Sequence, residues 1–177
     1  MVRYITLLLF IGLAWGQNEY NIKHIVDQDS VYKKKFSDEI VNGNIYQMTD
    51  DMKVPLGKMK NGKKDGLWTE WYPNKRKLEE TYRHGMLDGS VSLYYKTGQK
   101  EWRHTYNNGQ FEGLWTYWYE NGQKMREGNF MCGDSTGKWI WWDKNGRVEK
   151  EKKYKNRKNA IWANYNEYVL IETVTEP

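Results

Sequence analysis

An all-β fold of tandem antiparallel β-hairpins, stacked into an elongated meander or solenoid sheet, follows from three observations. First, one aromatic phrase recurs four times, at Gly66-Leu67-Trp68-Thr69-Glu70-Trp71-Tyr72, Gly89-Ser90-Val91-Ser92-Leu93-Tyr94-Tyr95, Gly113-Leu114-Trp115-Thr116-Tyr117-Trp118-Tyr119 and Gly137-Lys138-Trp139-Ile140-Trp141-Trp142-Asp143. Second, the leading glycines lie 23, 24 and 24 residues apart, a period that belongs to repeat architectures. Third, turn signals punctuate each unit twice, leaving room for two strands of about six or seven residues.

Each unit is entered through Gly-x-x-x-Gly, with Gly62, Gly85, Gly109 and Gly133 four residues before the leading glycines. An aromatic strand follows, then a turn at Thr97-Gly98, Asn121-Gly122 or Asn145-Gly146. Tight hairpin turns need positive φ, which glycine adopts freely and Asn at little cost. The first unit has Pro73-Asn74 instead, and loss of the glycine there accounts for its shorter period. A more polar return strand then ends on an aromatic residue: Tyr82, Tyr106, Phe130 or Tyr154. All the glycines are read as turn residues.

The pattern G-x-W-x-x-W/Y-Y-x-N-G-x-x-x-x-E-x-x-Y-x-N-G resembles the bacterial variant of the membrane occupation and recognition nexus (MORN) repeat, and covers residues 58–158. Departures are Val91 for the first Trp, Asp143 for the Tyr, and Arg103 where Glu79, Glu127 and Glu151 stand. The resemblance implies protein–protein or membrane-surface contact, and many bacterial sequences of this kind carry an antitoxin-like label. An antitoxin meets its toxin in the cytoplasm, which the N-terminal segment argues against unless the toxin is exported.

That segment, residues 1–16, carries Arg3 and an apolar run from Ile5 to Ala14, then Ala14-Trp15-Gly16. It is short for a membrane span and reads as a cleaved secretory signal, with the mature chain starting at Gln17 and destined for the periplasm, cell surface or exterior. An uncleaved anchor or a buried strand is the alternative. Residues 17–41 form a lead-in without clear period, supplying a strand or staying partly flexible. The repeat domain spans 42–165, with residues 42–60 a degenerate first repeat in which Ile45 stands where Trp68 stands. A strand containing Ala160-Ile161-Trp162 and Tyr165 caps the far end. Residues 166–177 form a tail whose strand-prone Tyr168-Val169-Leu170-Ile171 folds back on the sheet or binds elsewhere.

The chain of 177 residues has ten Trp and fourteen Tyr, so its stability rests on stacked rings and contacts between neighbouring repeats more than on a thick aliphatic core. The net charge is +5, of which Arg3 contributes one, leaving +4 after signal removal. So mild an excess does not imply nucleic acid. The basic residues concentrate late, with Lys150, Lys152, Lys153, Lys155, Arg157 and Lys158 in one short stretch. They either blunt an exposed sheet edge or form a docking patch for an anionic surface.

Side chains alternate along a strand. Trp68, Val91, Trp115 and Trp139 therefore share a face with Tyr72, Tyr95, Tyr119 and Asp143, while Trp71, Tyr94, Trp118 and Trp142 point the other way. A single sheet cannot bury both faces without a second layer or strong curling. The expected binding surface is Trp68, Tyr72, Tyr95, Trp115, Tyr119 and Trp139, because a large exposed aromatic patch marks an interaction site. The competing reading lays Lys124, Arg126 and Lys138 across the rings.

Nothing in the motifs points to catalysis. His24, His84 and His104 are scattered, and no ligand spacing suggests a metal site or another cofactor. Adjacent carboxylates at Asp50-Asp51 and Glu79-Glu80 point to opposite faces and cannot share one bond. Glu79, Glu127 and Glu151 recur at one repeat position, which suggests pairing with lysines. Cys132 is the only cysteine, so no internal disulfide can form; it is a free thiol or, alternatively, an intermolecular bridge. The leading function is a non-catalytic exported repeat protein that binds a protein partner through its aromatic sheet. Alternatives are a cell-wall glycan- or choline-binding module, using ring cages at repeat junctions, and attachment to anionic membrane surfaces. Open sheet edges leave the oligomeric state undetermined.

Overall fold

The computed structural model describes residues 18–155 and, for the backbone alone, Ile171–Val174. No α-helix occurs among them. The lead-in folds into a short strand β1 (Glu19–Asn21), a single 3-10 turn, and a hairpin of β2 (Ile25–Gln28) and β3 (Val31–Lys34). The degenerate repeat forms β4 (Gly43–Thr49) and β5 (Met52–Lys60). The four regular units then supply β6 (Lys63–Trp71) and β7 (Lys77–Arg83), β8 (Met86–Tyr94) and β9 (Lys100–Asn107), β10 (Gln110–Phe111) with β11 (Gly113–Trp118) and β12 (Lys124–Met131), and β13 (Asp134–Trp142) and β14 (Val148–Tyr154). A last strand, β15 (Ile171–Val174), pairs with β14.

From β4 to β15 each strand pairs antiparallel with the next, and β1 joins the near edge in parallel with β4. Strands β10 and β11 are one interrupted strand, broken at Glu112, and both pair with β9. The expected strand at Ala160-Ile161-Trp162 and Tyr165, the signal segment, Arg157 and Lys158 all lie outside the described residues.

Turn chemistry explains the meander. The loops entering the units place two consecutive residues at positive φ: Asn61 and Gly62 at 51° and 67°, His84 and Gly85 at 52° and 86°, Asn108 and Gly109 at 47° and 79°, Cys132 and Gly133 at 51° and 87°. These are two-residue hairpin turns whose twist matches the flanking strands.

The short period of the first unit has a different origin from a lost glycine. Lys75 N–H donates to the Tyr72 carbonyl as Gly98, Gly122 and Gly146 donate to Tyr95, Tyr119 and Asp143. Lys75 simply occupies the glycine position, at φ 64°. The absent residue is a β-bulge. Registers slip past Glu101, Met125 and Glu149 in the later units, whereas β6 and β7 run opposite one another without interruption from Gly66 to Trp71.

The ladders define two faces. One carries Trp68 opposite Glu80, Glu80 opposite Val91 and Val91 opposite His104, continuing through Trp115, Gly128 and Trp139 to Lys152. We call it the tryptophan face. At its N-terminal end the lead-in forms a true second layer: Ile25 and Val41 pack with Ile45, Met59 and Trp68, and Tyr32 and Tyr82 close around them. Tyr32 and Gly62 are tied by a backbone bond of 2.7 Å. The lead-in is thus a built cap, anchored to the degenerate repeat, with Ile45 only 1% exposed at the position of the later tryptophans.

Candidate functional site

Beyond the cap the tryptophan face buries its rings by a different device. The ring of Trp139 lies so close over Gly128 that an added Cβ would sit 2.0 Å from it, and Trp68 lies likewise over Gly57 at 2.5 Å. These two glycines are seats for indoles, mid-strand, which corrects the reading of every glycine as a turn residue. Trp68 Nε1 donates to the Lys58 carbonyl at 3.0 Å and Trp139 Nε1 to that of Asn129 at 3.3 Å. In the third unit the seat is His104, stacked between Trp102 at 4.2 Å and Trp115 at 3.6 Å. The corresponding carbonyl, that of Thr105, is engaged by Glu112 N–H, and Trp115 Nε1 is left buried without a partner.

The six residues expected to form an exposed surface therefore divide. Trp68, Trp115 and Trp139 are buried, at most 9% exposed, and act as wedges. Tyr95 and Tyr119 are half-buried staples, their hydroxyls donating to the Trp118 and Trp142 carbonyls of the following unit at 2.9 Å. Tyr72 alone is open, with no hydroxyl bond among the described residues. Burial, then the charges of Glu70 and Glu80, pushes its phenol up from the ordinary range.

What lies accessible on this face is a row the sequence reading did not single out. It starts beside Leu93, itself buried, which pairs with Trp102; Trp102 pairs with Tyr117, Tyr117 with Arg126, Arg126 with Trp141 and Trp141 with Lys150. Arg126 stacks on the Tyr117 ring at 3.9 Å and Lys150 sits 5.5 Å from the Trp141 ring, so cations and half-buried rings alternate. The signal was present two residues along from the recurring Trp, but there the residue type varies from unit to unit. Among the described residues the main contacts between elements join paired strands, and none of them lays a second layer over this row.

The opposite face sets ion pairs among exposed apolar side chains, Leu67, Trp71 and Leu114 being about half exposed. Glu79 accepts from Lys77 and the Tyr94 hydroxyl, both at 2.7 Å, Glu127 from Lys124 at 2.6 Å, and Glu151 pairs with Lys138 at 2.7 Å. This is the lysine pairing expected of the recurring glutamates. Lysines also cover that face's rings: Lys77 over Tyr94 at 4.3 Å and Lys124 over Trp142 at 5.8 Å. The basic stretch splits between faces. Lys150 and Lys152 lie on the tryptophan face, Lys152 over Tyr154 at 4.6 Å, while Lys153 stands opposite Lys138 on the other. Lys155 follows the end of β14.

No group of three or more His, Cys, Asp or Glu placed to hold a metal ion occurs among the described residues. His104 is buried, and burial, then Arg126, lowers its pKa to about 4, so it is neutral at physiological pH with Nε2 unpartnered. Cys132 is exposed and free.

Antiparallel hairpins in register, ring stacks between neighbours and recurring glutamate–lysine pairs on the reverse face define a β-hairpin repeat protein. The family described as the MORN repeat variant matches residues 111–131 and 135–156, so the third and fourth units are repeats of that kind. No curated protein matches it.

Proposed function

We propose that this is an exported, non-catalytic repeat protein that binds a protein partner through the tryptophan face beyond its N-terminal cap. The observation that carries the reading is the uncovered row of Trp102, Tyr117 and Trp141 interleaved with Arg126 and Lys150. Rings held by neighbours lose little freedom on binding, and Trp, Tyr and Arg are the commonest energetic anchors of protein interfaces. MORN repeats are in general protein- or membrane-binding modules, in keeping with this use. Export rests on the apolar segment before Gln17.

The test is a cross-linking pull-down from envelope and culture-medium fractions with wild type, a Tyr117→Ala, Trp141→Ala variant, and Trp71→Ala on the opposite face. Each is first checked for folding. Capture of a protein by wild type and Trp71→Ala, lost in the double variant, supports the reading; equal capture by all three, or none, overturns it. Trp115 and Trp139 are unsuitable for this purpose, because alanine there removes buried wedges. A second reading, contact with anionic membranes, is favoured by Arg126, Lys150 and Lys152 on one face. It requires sedimentation with anionic vesicles that fades as salt rises.

A further inference from the structure

We propose that the second unit holds a socket for an aromatic side chain, Trp or Tyr, of the protein partner; this rests on the function above and gives it a specific anchor point. Three of the four units fill the same position with their own indole: Trp68 on Gly57, Trp115 on His104 and Trp139 on Gly128. The second unit departs twice at once. Val91 replaces the indole, and Glu80 replaces its seat. A cavity of about 320 Å³ opens there on the tryptophan face, at the small end of the roughly 300–1,000 Å³ typical of ligand pockets.

Its lining selects the occupant. Leu78, Leu87, Val91 and Leu93 line it with aliphatic groups, and the rings of Tyr72, Trp102 and Tyr106 with aromatic ones. Three polar side chains, Asn74, Arg76 and Glu80, also line it, and Arg76 is not fully satisfied. The Arg76 guanidinium pairs with Glu101 through its Nη2, yet its buried Nε–H has no acceptor. Glu80 Oε2 accepts from the Tyr82 hydroxyl at 3.0 Å, and the carboxylate stands on the cavity wall as a further acceptor.

A partner's indole or phenol supplies what is missing. Its ring covers the four aliphatic side chains, its N–H or O–H donates to the Glu80 carboxylate, and a main-chain carbonyl beside it accepts from Arg76 Nε. A buried donor left unpaired is costly, so an occupant that brings an acceptor to the Arg76 Nε–H, and a donor for the Glu80 carboxylate, is favoured over one that brings neither. A cationic side chain is disfavoured despite Glu80, because Arg76 lines the same cavity and Lys64 Nζ already lies 4.0 Å from the Glu80 carboxylate. A sugar would set hydroxyls against four aliphatic side chains.

The experiment follows the leucine and valine methyl groups of the full chain by NMR during titration with N-acetyl-tryptophan amide, N-acetyl-lysine amide or methyl glucoside. The tryptophan probe is expected to shift the Leu78, Leu87, Val91 and Leu93 methyls in a saturable manner. Those of Leu67 and Leu114, exposed on the opposite face, stay put, and the other two probes leave the cavity methyls unmoved. Cavity methyls unmoved by the tryptophan probe, or moved as strongly by the lysine or sugar probe, overturn the socket. A Val91→Trp, Glu80→Gly variant rebuilds the Trp68–Gly57 arrangement and should fold and lose the response; a folded variant that keeps it overturns the proposal. Glu80→Gln, which leaves the fold's apolar contacts alone, should weaken the probe about fivefold, because a neutral amide oxygen accepts more weakly than a carboxylate, and an unchanged affinity also overturns it. In the pull-down, a partner still captured by the folded Val91→Trp, Glu80→Gly variant removes the socket but not the binding face. Loss of capture in Tyr117→Ala, Trp141→Ala alone separates the two.

Discussion

His104 sits in a ring stack between Trp102 and Trp115, with Arg126 and Tyr117 the charged and titratable groups facing it. Its pKa of about 4 lies below the ordinary 6.5, so between these values the unfolded chain binds a proton that the folded one refuses. Stability is therefore expected to fall as pH drops from 6.5 towards 4, by about 3 kcal/mol in all. Urea denaturation at pH 7, 5.5 and 4.5 measures this, and His104→Gln should show a shallower decline over the same window; parallel curves would refute it. The residue types that carry this effect are visible in the chain, but the sandwich is not. His104 occupies a position that is Gly in one neighbouring unit and Glu in the other, so no repeat rule announced a buried imidazole. Recurring Glu79, Glu127 and Glu151 were legible for the opposite reason: a periodic carboxylate near lysines has one common use.

A unit is a hairpin whose Trp must find a flat place on the strand before it. Where that place is Gly128, adding even one methyl group forces the Trp139 ring away, since the new Cβ would stand 2.0 Å from it. Gly128→Ala is expected to destabilise the protein by about 3 kcal/mol. Made in a Trp139→Val background, which copies the pairing of Val91 with a side chain at position 80, the same change should cost far less, because the two residues share one contact. Thermal denaturation of the four proteins gives the coupling directly, and additive losses would show that the ring and glycine do not depend on each other. The strands and turns of these units could be read from period and turn chemistry. Gly57 and Gly128 could not be told from turn glycines by type, since a mid-strand glycine shows its purpose only through the ring that crosses it from the next strand. The bulges at Glu101, Met125 and Glu149 were equally hidden, and the one-residue difference in period was assigned to the neighbouring turn.

At the scale of the molecule the array is one sheet with two kinds of protection. The cap of β1, β2, β3 and Val41 covers Ile45, Met59 and Trp68, while the later units bury their indoles against their own neighbours. Beyond the cap the main contacts run between strands that pair in the sheet, so local loss should stay local. A chain lacking residues 18–41 is expected to lose amide protection through β4, β5 and β6 while β11, β12 and β13 keep most of theirs. Hydrogen exchange read by mass spectrometry checks this, and uniform loss across the sheet would show that the cap holds the whole array together. At the far end β15 pairs with β14, so neither β14 nor β4 is left as a bare edge.

Sequence alone determined the repeat, its hairpin turns and the alternation of faces, because each depends on spacing and local backbone preference, which the order of residues states outright. Tertiary structure decided which aromatics are wedges and which are open. Burial depends on what the adjacent strand offers: a glycine seat, a histidine to stack on, a capping segment or, at Val91 and Glu80, an empty place.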